Sequence, residues 1–231
     1  MTEHSLVSPG TRARIRTLAV PLALAAGRLG LTPNALTIIG FAGVCVSAAF
    51  AATGQWIAAG VVSLLFAAFD MLDGALARAT GRVSRFGAFL DSTLDRAGEG
   101  VLYAGIIAGT VATASALPGL AALAMIAAFL VSYTRARAEG LGFGGDVGIA
   151  PRAERVVIMG IGLIATGAAG GVLPGAAAGT AGGGSGPGGL VIDSGGQPWL
   201  AATLSILFII SAITVLQRIW HVRAQARGAK E

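Results

Sequence analysis

The chain has 231 residues, 55% of them hydrophobic and 12% charged, with a mean hydropathy of +0.78. A soluble domain averages about 25% charged residues, so the composition excludes an ordinary soluble fold and predicts an all-α polytopic membrane protein. The net charge of +5 fits attraction to anionic headgroups and membrane orientation, with no nucleic acid as partner.

Residues 1–31 read as a cytoplasmic N-terminal segment. The stretch TRARIRTLAVPLALAAG resembles a signal peptide in its basic start and apolar middle. Pro21 and Arg28 interrupt that pattern, and Leu18, Leu22, Ala25 and Leu29 recur at helical spacing. The segment is therefore expected to form an interfacial amphipathic helix, with Arg12 and Arg16 among headgroups. Thr32, Pro33 and Asn34 then open the first span, a hydroxyl cap followed by proline in the first turn.

Six apolar runs follow, at about 34–53, 56–79, 84–110, 117–139, 153–173 and 199–221, each near the ~20 residues that cross a bilayer. An even number returns the chain to its starting side. Basic residues gather in the N-terminal segment, near the 80–85 loop, between Arg135 and Arg155, and from Arg218 onward. By the positive-inside rule those segments are cytoplasmic, as are both termini of a multi-pass protein of the cell (inner) membrane. The opposite face carries Asp193 as its sole charge. The expected organisation is a membrane domain over 32–222, a Gly-rich external loop over 174–198 and a basic tail over 223–231. GTAGGGSGPGG in that loop lacks the Lys and Ser/Thr of a phosphate-binding loop, and the lone Cys45 excludes an intrachain disulfide.

Two of these runs carry acid where it is expensive. Asp70 and Asp73 lie three apart near the end of the second span; Asp91 and Asp95 lie four apart near the start of the third. Each spacing puts its pair on one helix face. With a turn near 80–83, Asp70 and Asp91 sit about 15 and 12 Å from it at the helical rise, at matching depth. Gly74, Ala77 and Gly87 at this level allow either close helix approach or room for a ligand. Carboxylates clustered in a membrane require countercharge; a core ion-paired to Arg78 and Arg96 is one solution, and hard divalent cations, which favour oxygen ligands, are the better match. A cation transporter also places acids in a bundle, but no internal repeat of that class is evident.

Asp70, Asp73, Gly74, Ala77, Arg78, Gly87, Asp91 and Asp95 together resemble, position by position, the signature of the CDP-alcohol phosphatidyltransferase family: D, two residues, D-G, two residues, A-R, eight residues, G, three residues, D, three residues, D. The resemblance implies an enzyme that displaces CMP from a CDP-linked lipid, CDP-diacylglycerol or a relative, by an alcohol. It implies that Asp70, Asp73, Asp91 and Asp95 hold two Mg²⁺ ions, with Mn²⁺ as substitute, that Asp95 is also the base, and that Gly74, Ala77 and Arg78 line the nucleotide site. Thr32, Pro33 and Asn34 resemble a family segment near the cytidine, and a homodimer is the implied assembly.

Arg135, Arg137, Arg155 and Arg218 sit near the cytoplasmic ends of the fourth to sixth spans, where planar guanidinium groups suit a phosphate. Arg135 and Arg137 point to different helix faces, so Arg137 is the weaker member. YTRARAEG followed by GGDVG and PRAER is similar to the phosphatidylinositol phosphate synthase branch, which implies inositol 1-phosphate as a phosphorylated polyol acceptor. Many of that branch have Lys where Arg135 stands, and Glu99 occupies a position where Asp is expected. The alternative acceptor is glycerol 3-phosphate, as in phosphatidylglycerophosphate synthases.

Overall fold

The computed structural model describes residues 20–113, 115–172 and 195–228. All regular structure among them is helical: α1 (20–28), α2 (Pro33–Ala52), α3 (Trp56–Ala79), α4 (Arg85–Thr110), α5 (Leu117–Gly140), α6 (Arg152–Ala168) and α7 (Gln197–Gly228). The long helices follow the apolar runs to within a few residues at most ends, and local chemistry explains where two of them begin. The Thr32 hydroxyl accepts from the Ala35 N–H at 3.2 Å ahead of Pro33, and the Ser84 hydroxyl accepts from the Gly87 N–H at 2.9 Å. Between α3 and α4 the chain reverses through Gly81 at φ +67°, a conformation that suits glycine.

The six long helices close into a ring whose neighbours run α2, α3, α6, α7, α5, α4 and back to α2. Although α3 and α4 share a short loop, they do not pack directly as a tight hairpin; α2 lies against both. Nor do α4 and α6 pack directly. Away from the 80–84 loop the ring is filled by Leu102, Tyr103 and Ile106 of α4, Ala121, Ala124 and Ala128 of α5, Leu163 of α6, and Leu200, Leu204 and Leu207 of α7. A smaller cluster of Ala23, Leu36, Ala75 and Leu76 seats α1 against α2 and α3. Leu22 on α1 and Leu29 just after it are exposed; Arg12, Arg16 and Leu18 lie outside the described residues, as do most of the 174–198 loop, including Asp193, and the end of the tail.

Helices α2, α3, α5 and α7 are long and apolar enough to cross a membrane. The other two differ for identifiable reasons. Helix α4 carries Arg85, Asp91, Asp95, Arg96 and Glu99, and α6 has only 17 residues.

Candidate active site

The aspartates stand where α3 and α4 diverge. One carboxylate oxygen each from Asp70, Asp91 and Asp95 lies within 4.8 Å of the others. Asp73 is held differently: its Oδ2 accepts from the Thr37 hydroxyl of α2 at 2.6 Å, and its Oδ1 from the Gly74 N–H. The structure thus brings three of the four predicted carboxylates into one group, with the fourth fastened to α2 beside it.

Neither Arg78 nor Arg96 supplies the direct ion pair. Arg96 donates to the Ser92 carbonyl of its own helix. The partner is Arg152, at the start of α6, whose Nη1 lies 2.9 Å from Asp70 Oδ2 and whose Nη2 lies 2.8 Å from Asp95 Oδ1. One turn further along α6, Arg155 meets Glu99 in a two-point pair, Nε to Oε1 and Nη2 to Oε2, both 3.0 Å, and donates to the Ala150 carbonyl at 2.9 Å. Asp95 and Glu99 on α4 therefore face Arg152 and Arg155 on α6 as two rungs between helices that do not otherwise pack. The 144–150 segment is tied to α7 by Gln225 with Gly144, Gln217 with Ile149 and Thr214 with Ala150, which fixes the start of α6.

The aspartate face borders three cavities, the widest of which, about 570 Å³, is open along α3 beside Val20 and is lined by Asp70, Met71, Gly74 and Arg78; the other two lie between helices. The first of these two, of about 280 Å³, lies among α2, α3 and α4 and is lined by Pro33, Asn34, Gly74, Ala77, Arg78 and Asp91. The small residues Gly74, Ala77 and Gly87 all line this space. Thr32 caps α2 and is not among the lining residues. The second, narrower cavity of about 40 Å³ is lined by Asp70, Asp95, Glu99, Tyr103, Arg152 and Arg155.

The predicted arginines separate. Arg155 lines the second cavity. Arg218 is buried, with Nε donating to the Val147 carbonyl at 2.8 Å and Nη1 to that of Val131. Arg135 is half exposed and pairs with Glu139 at 2.9 Å and Asp146 at 3.1 Å, while Arg137 is exposed. Two residues of the site escaped sequence reasoning. Arg152 is one helical turn from Arg155, so the spacing in PRAER put both on one face; Thr37 is one turn beyond Pro33, on the same face of α2.

Three clustered carboxylates with Arg152 as their ion-pair partner form an all-oxygen, net-negative donor set. That chemistry fits a hard divalent cation.

Known proteins share this fold. The family model described as CDP-alcohol phosphatidyltransferase matches residues 30–181. The chain is 41% identical over 165 residues to a phosphatidylinositol phosphate synthase of Mycobacteroides abscessus, covering 70% of this chain and 74% of the relative. The crystal structure of Mycobacterium tuberculosis phosphatidylinositol phosphate synthase with CDP-DAG bound superposes with a TM-score of 0.72 at 30% identity, over 89% of this chain and 94% of that one. The same enzyme in complex with manganese and citrate gives a TM-score of 0.72 at 29% identity, over 88% of each chain. The helical ring, the aspartate face and these likenesses agree: the chain is a multi-pass membrane enzyme that belongs to the CDP-alcohol phosphatidyltransferase family.

Proposed function

We propose that this enzyme transfers a phosphatidyl group from CDP-diacylglycerol to inositol 1-phosphate, giving phosphatidylinositol phosphate and CMP. The observation that carries the reading is the aspartate face between a cavity lined by Gly74, Ala77 and Arg78 and one lined by Arg152 and Arg155. The first cavity has the residues that the family signature assigns to the CDP-lipid, Gly74, Ala77 and Arg78, with Pro33 and Asn34 beside them and Thr32 capping their helix. The second offers Arg155 and Arg152 to a phosphate on the acceptor. Likeness to phosphatidylinositol phosphate synthases favours inositol 1-phosphate over glycerol 3-phosphate, and family membership sets aside the cation-transporter alternative.

Asp70, Asp73, Asp91 and Asp95 are the residues that would hold two Mg²⁺ ions, or Mn²⁺ in their place. When bound, such ions neutralise the diphosphate and stabilise the departing CMP. Asp95 borders the second cavity, where its carboxylate takes the proton of the acceptor hydroxyl as that oxygen forms its bond to phosphorus and the bond from phosphorus to CMP breaks. Arg155 orients the acceptor through its phosphate, with the charge of Arg218 behind it and Arg135 near the mouth; Arg137, on another helix face, contributes least.

The wider reading has α2 to α7 as six spans over 32–222, with 1–31 carrying the interfacial helix, 174–198 external, and the basic tail 223–231, both termini and the site cytoplasmic, in a homodimer. Basic residues at the loop ends of α3, α5 and α7 and at the starts of α4 and α6 support that orientation. The test is CMP release from CDP-diacylglycerol by the purified enzyme with Mg²⁺ and, in turn, inositol 1-phosphate, glycerol 3-phosphate and inositol. Release is expected with inositol 1-phosphate above both others; release only with glycerol 3-phosphate or only with inositol would refute the assignment.

A further inference from the structure

Arg152 does more than balance charge. Its two terminal nitrogens are shared between Asp70 on α3 and Asp95 on α4, so a guanidinium sits on two of the three carboxylates that fit a divalent cation. Its third nitrogen, Nε, is buried and has no hydrogen-bond partner. A buried donor left unsatisfied is unfavourable, so this placement leaves one guanidinium donor that an incoming acceptor would satisfy. Arg155, one turn away, is fixed by both oxygens of Glu99 and by the Ala150 carbonyl. Both arginines line the same cavity, but only Arg152 is held by groups that another cation would claim.

We propose that Arg152 is the exchangeable countercharge of the aspartate face: it yields Asp70 and Asp95 to the divalent cation and turns into the cavity beside Arg155, where it binds the phosphate of the acceptor. The second half rests on the phosphorylated acceptor assigned above; the first does not. Because one guanidinium serves both roles in turn, cation and acceptor phosphate bind with positive coupling, and the coupling is reciprocal. The cavity thus gains its second phosphate-binding arginine only after the aspartates are loaded, which keeps the acceptor from occupying an enzyme that lacks its cation.

The experiment measures Mn²⁺ binding by electron paramagnetic resonance of the free ion, using the full chain in lipid nanodiscs without CDP-lipid, so that no turnover enters. Removing the competitor in Arg152→Gln should tighten Mn²⁺ binding by about tenfold, within the usual range of coupling between sites. Arg152→Lys, whose ammonium cannot bridge two carboxylates as a fork does, should fall between that variant and the parent. Titration calorimetry with inositol 1-phosphate should show the parent binding it about tenfold tighter with Mn²⁺ than without, a dependence that shrinks at least threefold in Arg152→Gln. Unchanged Mn²⁺ affinity in both variants overturns the exchange, and full Mn²⁺ dependence of inositol 1-phosphate binding in Arg152→Gln overturns the second role. Tighter Mn²⁺ binding in the variants, with no inositol 1-phosphate bound by any form, supports the exchange and refutes the acceptor assignment instead.

Discussion

The same helices behave in opposite ways at the two ends of the ring. Away from the 80–84 loop they touch backbone to backbone: a methyl group at Gly105 of α4 would lie 2.3 Å from the Ala48 carbonyl of α2, and one at Gly60 of α3 would lie 2.5 Å from the Gly160 carbonyl of α6. At the aspartate end the small residues meet no facing backbone. Gly40 has nothing within 4 Å of its missing methyl, and Gly74 meets only the Arg78 guanidinium of its own helix. Small side chains in a membrane bundle therefore serve two purposes, close packing where another backbone fills the gap and a cavity where none does. Sequence alone does not separate the two, because what differs is the partner and not the residue.

The first way to break this contrast is at the chemistry. Asp95→Asn should lower turnover by about 10² to 10⁴-fold, the usual range for loss of a positioned base, while CDP-diacylglycerol binding is largely kept; a rate assay beside an equilibrium binding assay checks both. Retained turnover would remove Asp95 as the base.

A paired glycine substitution addresses the packing side. Gly105→Ala should destabilise the protein by about 1–3 kcal/mol, since α4 must shift away from a carbonyl. Gly40→Ala should leave stability unchanged or raise it by up to about 1 kcal/mol, the usual gain of alanine over glycine inside a helix. Thermal unfolding in one detergent compares them, and equal loss in both would mean that the two ends are packed alike.

Smaller effects are expected from the supports of the site. Thr37→Val removes the hydroxyl that holds Asp73, a bond to a charged group worth about 1.5–3 kcal/mol, and should reduce activity roughly tenfold at unchanged expression. Arg137→Ala alters an exposed side chain and should stay within about twofold of the parent, as surface changes of about 0.5 kcal/mol do. A large loss there would mean that the acceptor is approached from a different face of α5.

Much of the site was legible because its residues are costly where they lie. Four aspartates in apolar runs demand an explanation, and their spacing already placed each pair on one face. The legible part ended at long-range pairing. That Arg152, rather than Arg78 or Arg96, reaches Asp70 and Asp95 depends on the ring order that sets α6 beside α3 and across a gap from α4, which no local pattern encodes. Arg218 teaches the converse. Its sequence position suggested a ligand, yet its guanidinium is occupied by the Val147 and Val131 carbonyls, so what it does in the structure is hold the 141–151 segment against α5. The helix count followed from hydropathy in α2, α3, α5 and α7; α4 departs from it because it carries charged side chains of the site, and α6 because it has only 17 residues.

Under the proposed function, one aspartate face serves two cavities with separate substrates. This division is tested most directly by the Michaelis constants of two variants in one assay, Ala77→Leu in the first cavity and Arg155→Lys in the second. Lysine keeps a positive charge opposite Glu99 while removing the planar fork. Ala77→Leu should raise the constant for CDP-diacylglycerol and spare that for inositol 1-phosphate, and Arg155→Lys should do the reverse. Equal changes in both constants for either variant would contradict the division.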